Sequence, residues 1–227
     1  MSLIIALCVA PLITGVCHTW LKKYSILFYL GAAVLSAVVV AGKLPASPAW
    51  ADVTDLLTRG TLATAMFVLG MYAGALPKNG KLTKALMTVR AELSIIACIL
   101  TLGHNIYCIQ VFSSLKRQAT DAIPSEWHIA KMISCLLMFL MIPLFLTSFK
   151  IVRKRMKAKT WKRIQRLAYV FYGLLYAHVM VLMVPNALEG KGKYVVSVVV
   201  YTSIYAAYVI LKIKRFTDCK KYTKYTK

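Results

Sequence analysis

Apolar residues in this chain come in long unbroken runs, not in the alternation of a half-buried strand or the stripe of an amphipathic helix. Seven runs can be read: Ser2–Cys17, Ile26–Ala41, Gly60–Leu76, Leu86–Phe112, Ile129–Phe149, Ile164–Val184 and Tyr194–Ile213. Most approach the roughly 20 residues that a helix needs to cross a bilayer. The first two are short and can extend into their flanks. The pattern predicts an all-α, polytopic membrane helix bundle of about seven transmembrane helices. The short connections leave no room for a separate soluble domain, and no internal repeat is seen. The first run lacks a basic leader and an A-x-A site before Cys17, and the stretch Thr14–Cys17 makes a poor lipidation site, so it is expected to remain as a span.

Charge orients the bundle. One alternating set of connections holds Lys22 and Lys23, then Lys78, Lys81, Lys84 and Arg90, then Lys150 through Arg166, then Lys212 through Lys227. Together these carry 22 of the 29 basic residues. The other set, at 43–59, 113–131 and 185–193, holds the remaining basic residues and five of the seven acids. The positive-inside rule then predicts an N-terminus outside, a C-terminus inside and an odd number of crossings. Trp20, Trp50, Trp127 and Trp161 fall at span ends, as an interfacial belt requires.

Composition agrees with this reading. The chain is 59% hydrophobic and 16% charged, below the roughly 25% charged content of soluble domains. The net charge of +22 alone would suggest nucleic acid, but a nucleic-acid partner does not call for so much apolar sequence. Most of the basic residues suit anionic lipid head groups. Lys150–Arg166 is denser than orientation requires.

Ionisable groups at bilayer depth are costly, so they point to function. His104 lies in the fourth run and His178 in the sixth, both reading from inside to outside. Counted from Leu86 and Ile164, they rise roughly 27 and 21 Å, to similar depth in the outer half. Two neutral imidazoles at matched depth on parallel helices suit the two sides of a b-type haem iron. The bland alternative is that each imidazole bonds to a helix neighbour. Gly103, Gly173 and Ala177 are expected to make space for a macrocycle. His18 and His128 fall at interfaces. Glu92 and Arg90 read as first-turn residues of the fourth span. Cys8, Cys17, Cys98, Cys108, Cys135 and Cys219 form no C-x-x-C or C-x-x-C-H, so covalent c-type haem is not encoded. No dinucleotide or phosphate-loop motif occurs, so no NAD(P)H domain is expected.

The stretches RAELSIIACILTLGH (90–104), TSFKIVRKRMKAKTWKRIQRLAYVFYGLLYAH (147–178) and RGTLATAMFVLGMYAGALPK (59–78) resemble the ferric reductase-like transmembrane domain family. Within it, the similarity is nearest to bacterial haem-binding membrane subunits of methionine sulfoxide reductase systems. It covers about 25–213, a six-helix core, with 1–24 as an additional N-terminal helix and inner loop and 214–227 as a basic cytoplasmic tail.

The resemblance implies a multi-pass protein of a bacterial plasma membrane that relays electrons through haem b. His104 and His178 match the outer ligand pair. Larger members carry a second, inner haem, on His residues fourteen positions before the first ligand and thirteen before the second. Here those positions hold Arg90 and Gln165, so one haem is expected, in the outer half. A quinol, a bound flavin or a docked flavoprotein would supply electrons, with Arg163, Gln165 and Arg166 as inner contacts. The acceptor outside would be ferric iron or a partner oxidoreductase. Lys116, Arg117, Lys191 and Lys193 are candidates to pair with haem propionates. The rival readings are a haem-free small transporter and a membrane scaffold or assembly protein.

Overall fold

A computed structural model describes residues 18–43, 47, 50–77, 79–118 and 124–225, with the side chains of 118 and 218–225 left out. The described residues are helical wherever they are regular. After a helical stretch at 18–23 come α1 (Ser25–Val40), α2 (Ala51–Thr58), α3 (Thr61–Tyr72) and α4 (Lys81–Gln118). Then follow α5 (Ser125–Ser148), α6 (Lys150–Arg155), α7 (Ala158–Gln165), α8 (Leu167–Leu188) and α9 (Gly192–Tyr225). Helix is the conformation that satisfies backbone polar groups within one segment, which apolar surroundings demand.

Four helical segments are long and apolar enough to cross a membrane: Lys81–Arg117, Ser125–Ser148, Ala158–Leu188 and Gly192–Thr217. Ser25–Val40 and Thr61–Tyr72 are shorter apolar helices. Six of the seven expected runs thus correspond to helices, and the run at 2–17 lies outside the described residues. Large apolar side chains cover the outer faces, with Met132 and Phe139 each 73% exposed on α5. Such a surface suits lipid contact and not water.

Helix α4 is the hub, packing against α1, α2, α3 and α5, while α8 packs between α5 and α9. One core joins α1, α3 and α4 through Val39, Ala65, Leu69, Leu93 and Ile96. A second joins α4, α5 and α8 through Cys98, Leu137, Met141, Phe171 and Leu175. A third binds α3 to α8 and α9 through tyrosines: Tyr172 and Tyr205 stack with centroids 4.2 Å apart, and Tyr72 Oη donates to the Ile204 carbonyl at 2.6 Å.

Three elements differ from the sequence expectation. Helix α4 starts at Lys81, five residues before the predicted run. Its first turn is mostly polar and exposed, so an apolar run misses it, although Thr83 is buried. Glu92 and Arg90 are therefore not first-turn residues. Glu92 is 4% exposed, and its Oε2 has no hydrogen-bond partner among the described residues. Helix α9 continues through the expected tail to Tyr225. Its Arg215 Nη1 donates to the carbonyls of Gly74 and Leu76 at 2.7 and 3.2 Å, which satisfies acceptors freed where α3 ends. The basic connection 149–166 is built from α6 and α7.

Candidate functional site

His104 and His178, on helices α4 and α8, line one cavity of about 470 Å³ between α3, α4, α5, α8 and α9. That size falls within the ~300–1,000 Å³ common for cofactor and ligand sites. Phe67, Leu137, Met141, Phe171 and Leu175 give it apolar walls, and Thr64, Asn105 and Ser134 add polar atoms.

The orientation of each ring follows from its hydrogen bonds. His104 Nδ1 lies 2.7 Å from the Thr58 carbonyl, and His178 Nδ1 lies 3.2 Å from the Ala130 carbonyl. A carbonyl only accepts, so in each ring Nδ1 carries the proton and Nε2 keeps its lone pair. Ser134 Oγ, at 3.4 Å, adds a second contact to His178 Nδ1. Among the described residues His178 Nε2 has no protein partner, and the Cys108 thiol lies within hydrogen-bond reach of His104 Nε2 at 3.7 Å. His178 has the arrangement of metal-binding histidines, one nitrogen fixed by a backbone acceptor and the other free, and at His104 the Cys108 thiol is the one contact to the second nitrogen among the described residues.

Thr58 ends α2 and Gly60 stands in the turn before α3, and neither is among the site residues expected from sequence. Gly60 adopts φ +65°, and a Cβ there would stand 3.0 Å from His104 Cδ2 and 3.1 Å from Cγ. The turn thus needs glycine for its left-handed backbone and again for the ring pressed against it. The signal in the chain was a Gly after the short polar–apolar stretch 51–59, which reads equally as an ordinary helix start.

The glycines expected to flank a macrocycle do not do so. Gly103 faces α1, where its added Cβ would meet Ser36 Cβ at 2.6 Å. Gly173 is exposed with nothing within 4 Å, and neither it nor Ala177 lines the cavity. Their positions one residue before His104 and His178, or five before, turn them to other helix faces.

Among the four cations expected near propionates, Lys193 lines the cavity. Lys191 is taken up by Glu189 at 2.7 Å and Asn186 Oδ1 at 2.8 Å, and the Glu189 hydrogen bond raises its pKa. Lys116 and Arg117 are exposed in the last turn of α4, away from the lining. Arg59, not anticipated, does line the cavity. His128 packs edge-on against Phe112 at 5.6 Å, also outside the lining.

A second cavity of about 50 Å³ lies toward the basic-loop end, lined by Arg90, Ser94, Ser148, Gln165 and Tyr172 among others. The structure thus brings Arg90 and Gln165 together. Gln165 Nε2 donates to Thr147 Oγ1 at 3.0 Å, and Trp161 Nε1 donates to the Thr147 carbonyl at 3.2 Å. Arg163 and Arg166 are exposed and do not line this cavity. Phe67, Met141 and Phe171 touch both cavities and form the wall between them. No group of three or more His, Cys, Asp or Glu side chains converges among the described residues.

Comparison with known proteins gives a match to the family model described as ferric reductase like transmembrane component over residues 59–176, just over half the chain. His104 falls inside that segment and His178 two residues beyond it. An uncharacterised protein of Treponema pallidum (strain Nichols) is 40% identical over 230 residues, covering 97% of this chain. This chain spans 62% of the length of that relative. No solved structure matches.

Proposed function

This chain belongs to the ferric reductase-like transmembrane family, and from that premise we propose that it is a b-type haem electron-transfer protein with His104 and His178 as the two axial ligands. The observation that carries the reading is the shared hydrogen-bond pattern. Two backbone carbonyls hold both Nδ1 protons, so both Nε2 atoms are unprotonated on imidazoles that line a common cavity. Haem bound there would supply a one-electron ferric–ferrous couple.

The protein's own part is to orient, exclude water and fix polarity. Thr58 and Ala130 set the tautomers, which makes the rings better donors. Phe67, Leu137, Phe171 and Leu175 keep the surroundings dry. The charge pattern supports a seven-helix arrangement with the His104–His178 cavity in the outer half and the Lys150–Arg166 loop inside. The bacterial relative and the apolar helices support a bacterial plasma-membrane location.

The smaller cavity supports one haem, not two. Its 50 Å³ is room for a few waters at roughly 10–15 Å³ each, and neither Arg90 nor Gln165 is a usual haem ligand. Arg90 and His104 are fourteen residues apart on one helix, about 21 Å along its axis. Electrons therefore need a donor that reaches partway into the bilayer. A quinol or bound flavin near Gln165, or a flavoprotein docked on the exposed cations of α6 and α7, fits that need. The acceptor would be ferric iron or a partner oxidoreductase at the outer face, as in the methionine sulfoxide reductase resemblance.

The test is a reduced-minus-oxidised visible spectrum of the purified protein after haem supplementation. A b-type α-band present in the wild type and lost in both His104→Ala and His178→Ala is the expected result. A colourless wild type would overturn the proposal and return the transporter or scaffold reading.

A further inference from the structure

Two cations at the mouth of the large cavity have no role in holding the imidazoles. Arg59 and Lys193 both line it, and no Asp or Glu does. Arg59 is engaged on one side, where its Nε meets Asp55 Oδ2 at 3.2 Å, leaving its two terminal amino groups for another acceptor. Lys193 enters neither of the ion pairs formed among the described residues. It stands in the first turn of α9, where the helix dipole disfavours a cation and no acid compensates. Both side chains are exposed, so an anion held between them gains the modest attraction of surface charge pairs.

Arg59 is also fixed relative to the imidazole. It sits between Thr58, whose carbonyl holds His104 Nδ1, and Gly60, whose bare Cα faces the His104 ring. One three-residue turn therefore carries the ligand's orientation and a cation at the mouth. Lys193 comes from the first turn of α9, and Asn186 near the end of α8 and Tyr194 also line the cavity.

Resting on the haem reading above, we infer that Arg59 and Lys193 bind the paired carboxylates of the porphyrin and so fix its rotation between the two imidazoles. A guanidinium matches a carboxylate with two parallel donors, and an ammonium adds a point charge. Arg59 is the anchoring partner and Lys193 the more mobile one. Lys116 and Arg117 supply the matched control, because they carry the same two charges on an outer connection without lining the cavity.

The experiment titrates full-length protein in lipid nanodiscs with haem b and with haem b dimethyl ester, whose carboxylates are blocked. Wild type is expected to bind haem b about tenfold more tightly than the ester, the sum of two partly exposed charge pairs. Arg59→Gln/Lys193→Gln should bind both pigments alike, at the wild-type affinity for the ester, with the low-spin two-imidazole spectrum intact. Lys116→Gln/Arg117→Gln should keep the wild-type preference. A wild type that does not distinguish haem from its ester overturns the inference while leaving the haem reading in place. So does loss of the preference in the Lys116/Arg117 control to the same degree as in the Arg59/Lys193 variant. A wild type that takes up neither pigment overturns both.

Discussion

Replacing Gly60 by alanine separates a backbone effect from an effect on the imidazole. The backbone effect comes from φ +65°, where a residue with a Cβ costs about 1 kcal/mol more than glycine. The second effect comes from the new Cβ, which would lie 3.0, 3.1 and 3.3 Å from three atoms of the His104 ring. Those are side-chain atoms, so the ring can yield, but it is held by its 2.7 Å bond to Thr58. Yielding weakens a hydrogen bond worth about 1 kcal/mol and turns Nε2 away from its present direction. Folding stability should therefore fall by about 2 kcal/mol, and haem affinity by about tenfold. Gly190→Ala is the control, since Gly190 has φ +80° but nothing within 4 Å of an added Cβ. It should lose about 1 kcal/mol of stability and no haem affinity. Thermal unfolding in detergent reads the first quantity, and absorbance titration with haem reads the second. Equal haem affinity in the two variants would refute the claim that Gly60 positions the ring.

Other substitutions test the remaining parts of the account. Gly103→Ala should destabilise the bundle by about 1–3 kcal/mol, because its Cβ would come within 2.6 Å of Ser36 Cβ and 2.9 Å of Ser36 Cα, yet leave the haem spectrum unchanged. Thr147→Val removes the acceptor of Gln165 and should cost about 1–2 kcal/mol in thermal unfolding, with haem content unaltered. Arg90→His with Gln165→His should leave the haem content at one per chain, measured by pyridine haemochrome, because the cavity they line is about 50 Å³.

What the sequence made legible was what local composition controls. Long apolar runs located α1, α3, α4, α5, α8 and α9, and depth counting brought His104 and His178 to one cavity. Amphipathic helix was less visible: the first turns of α4 and the whole of α2, α6 and α7 carry too many polar residues to stand out as apolar runs. Contacts between distant parts of the chain were not visible at all. Thr58 reaches His104 across 46 positions and Ala130 reaches His178 across 48. Both depend on how α2 and α5 lie against their neighbours. The misplacement of Gly103 has the same cause. A small residue next to a ligand in sequence sits about 100° away around the helix, so adjacency in the chain did not mean adjacency to the cavity.

Chemical rescue of a cavity variant asks whether both imidazoles ligate the iron. His178→Gly, purified without haem, is titrated with haem in the presence and absence of free imidazole, and the ferric protein is read by electron paramagnetic resonance. With both imidazoles as ligands, a weak high-spin signal is expected without imidazole and a low-spin two-imidazole signal once it is added, with His104→Gly behaving alike. A low-spin two-imidazole signal in either variant without added imidazole, or a wild type that binds no haem, would contradict that ligation.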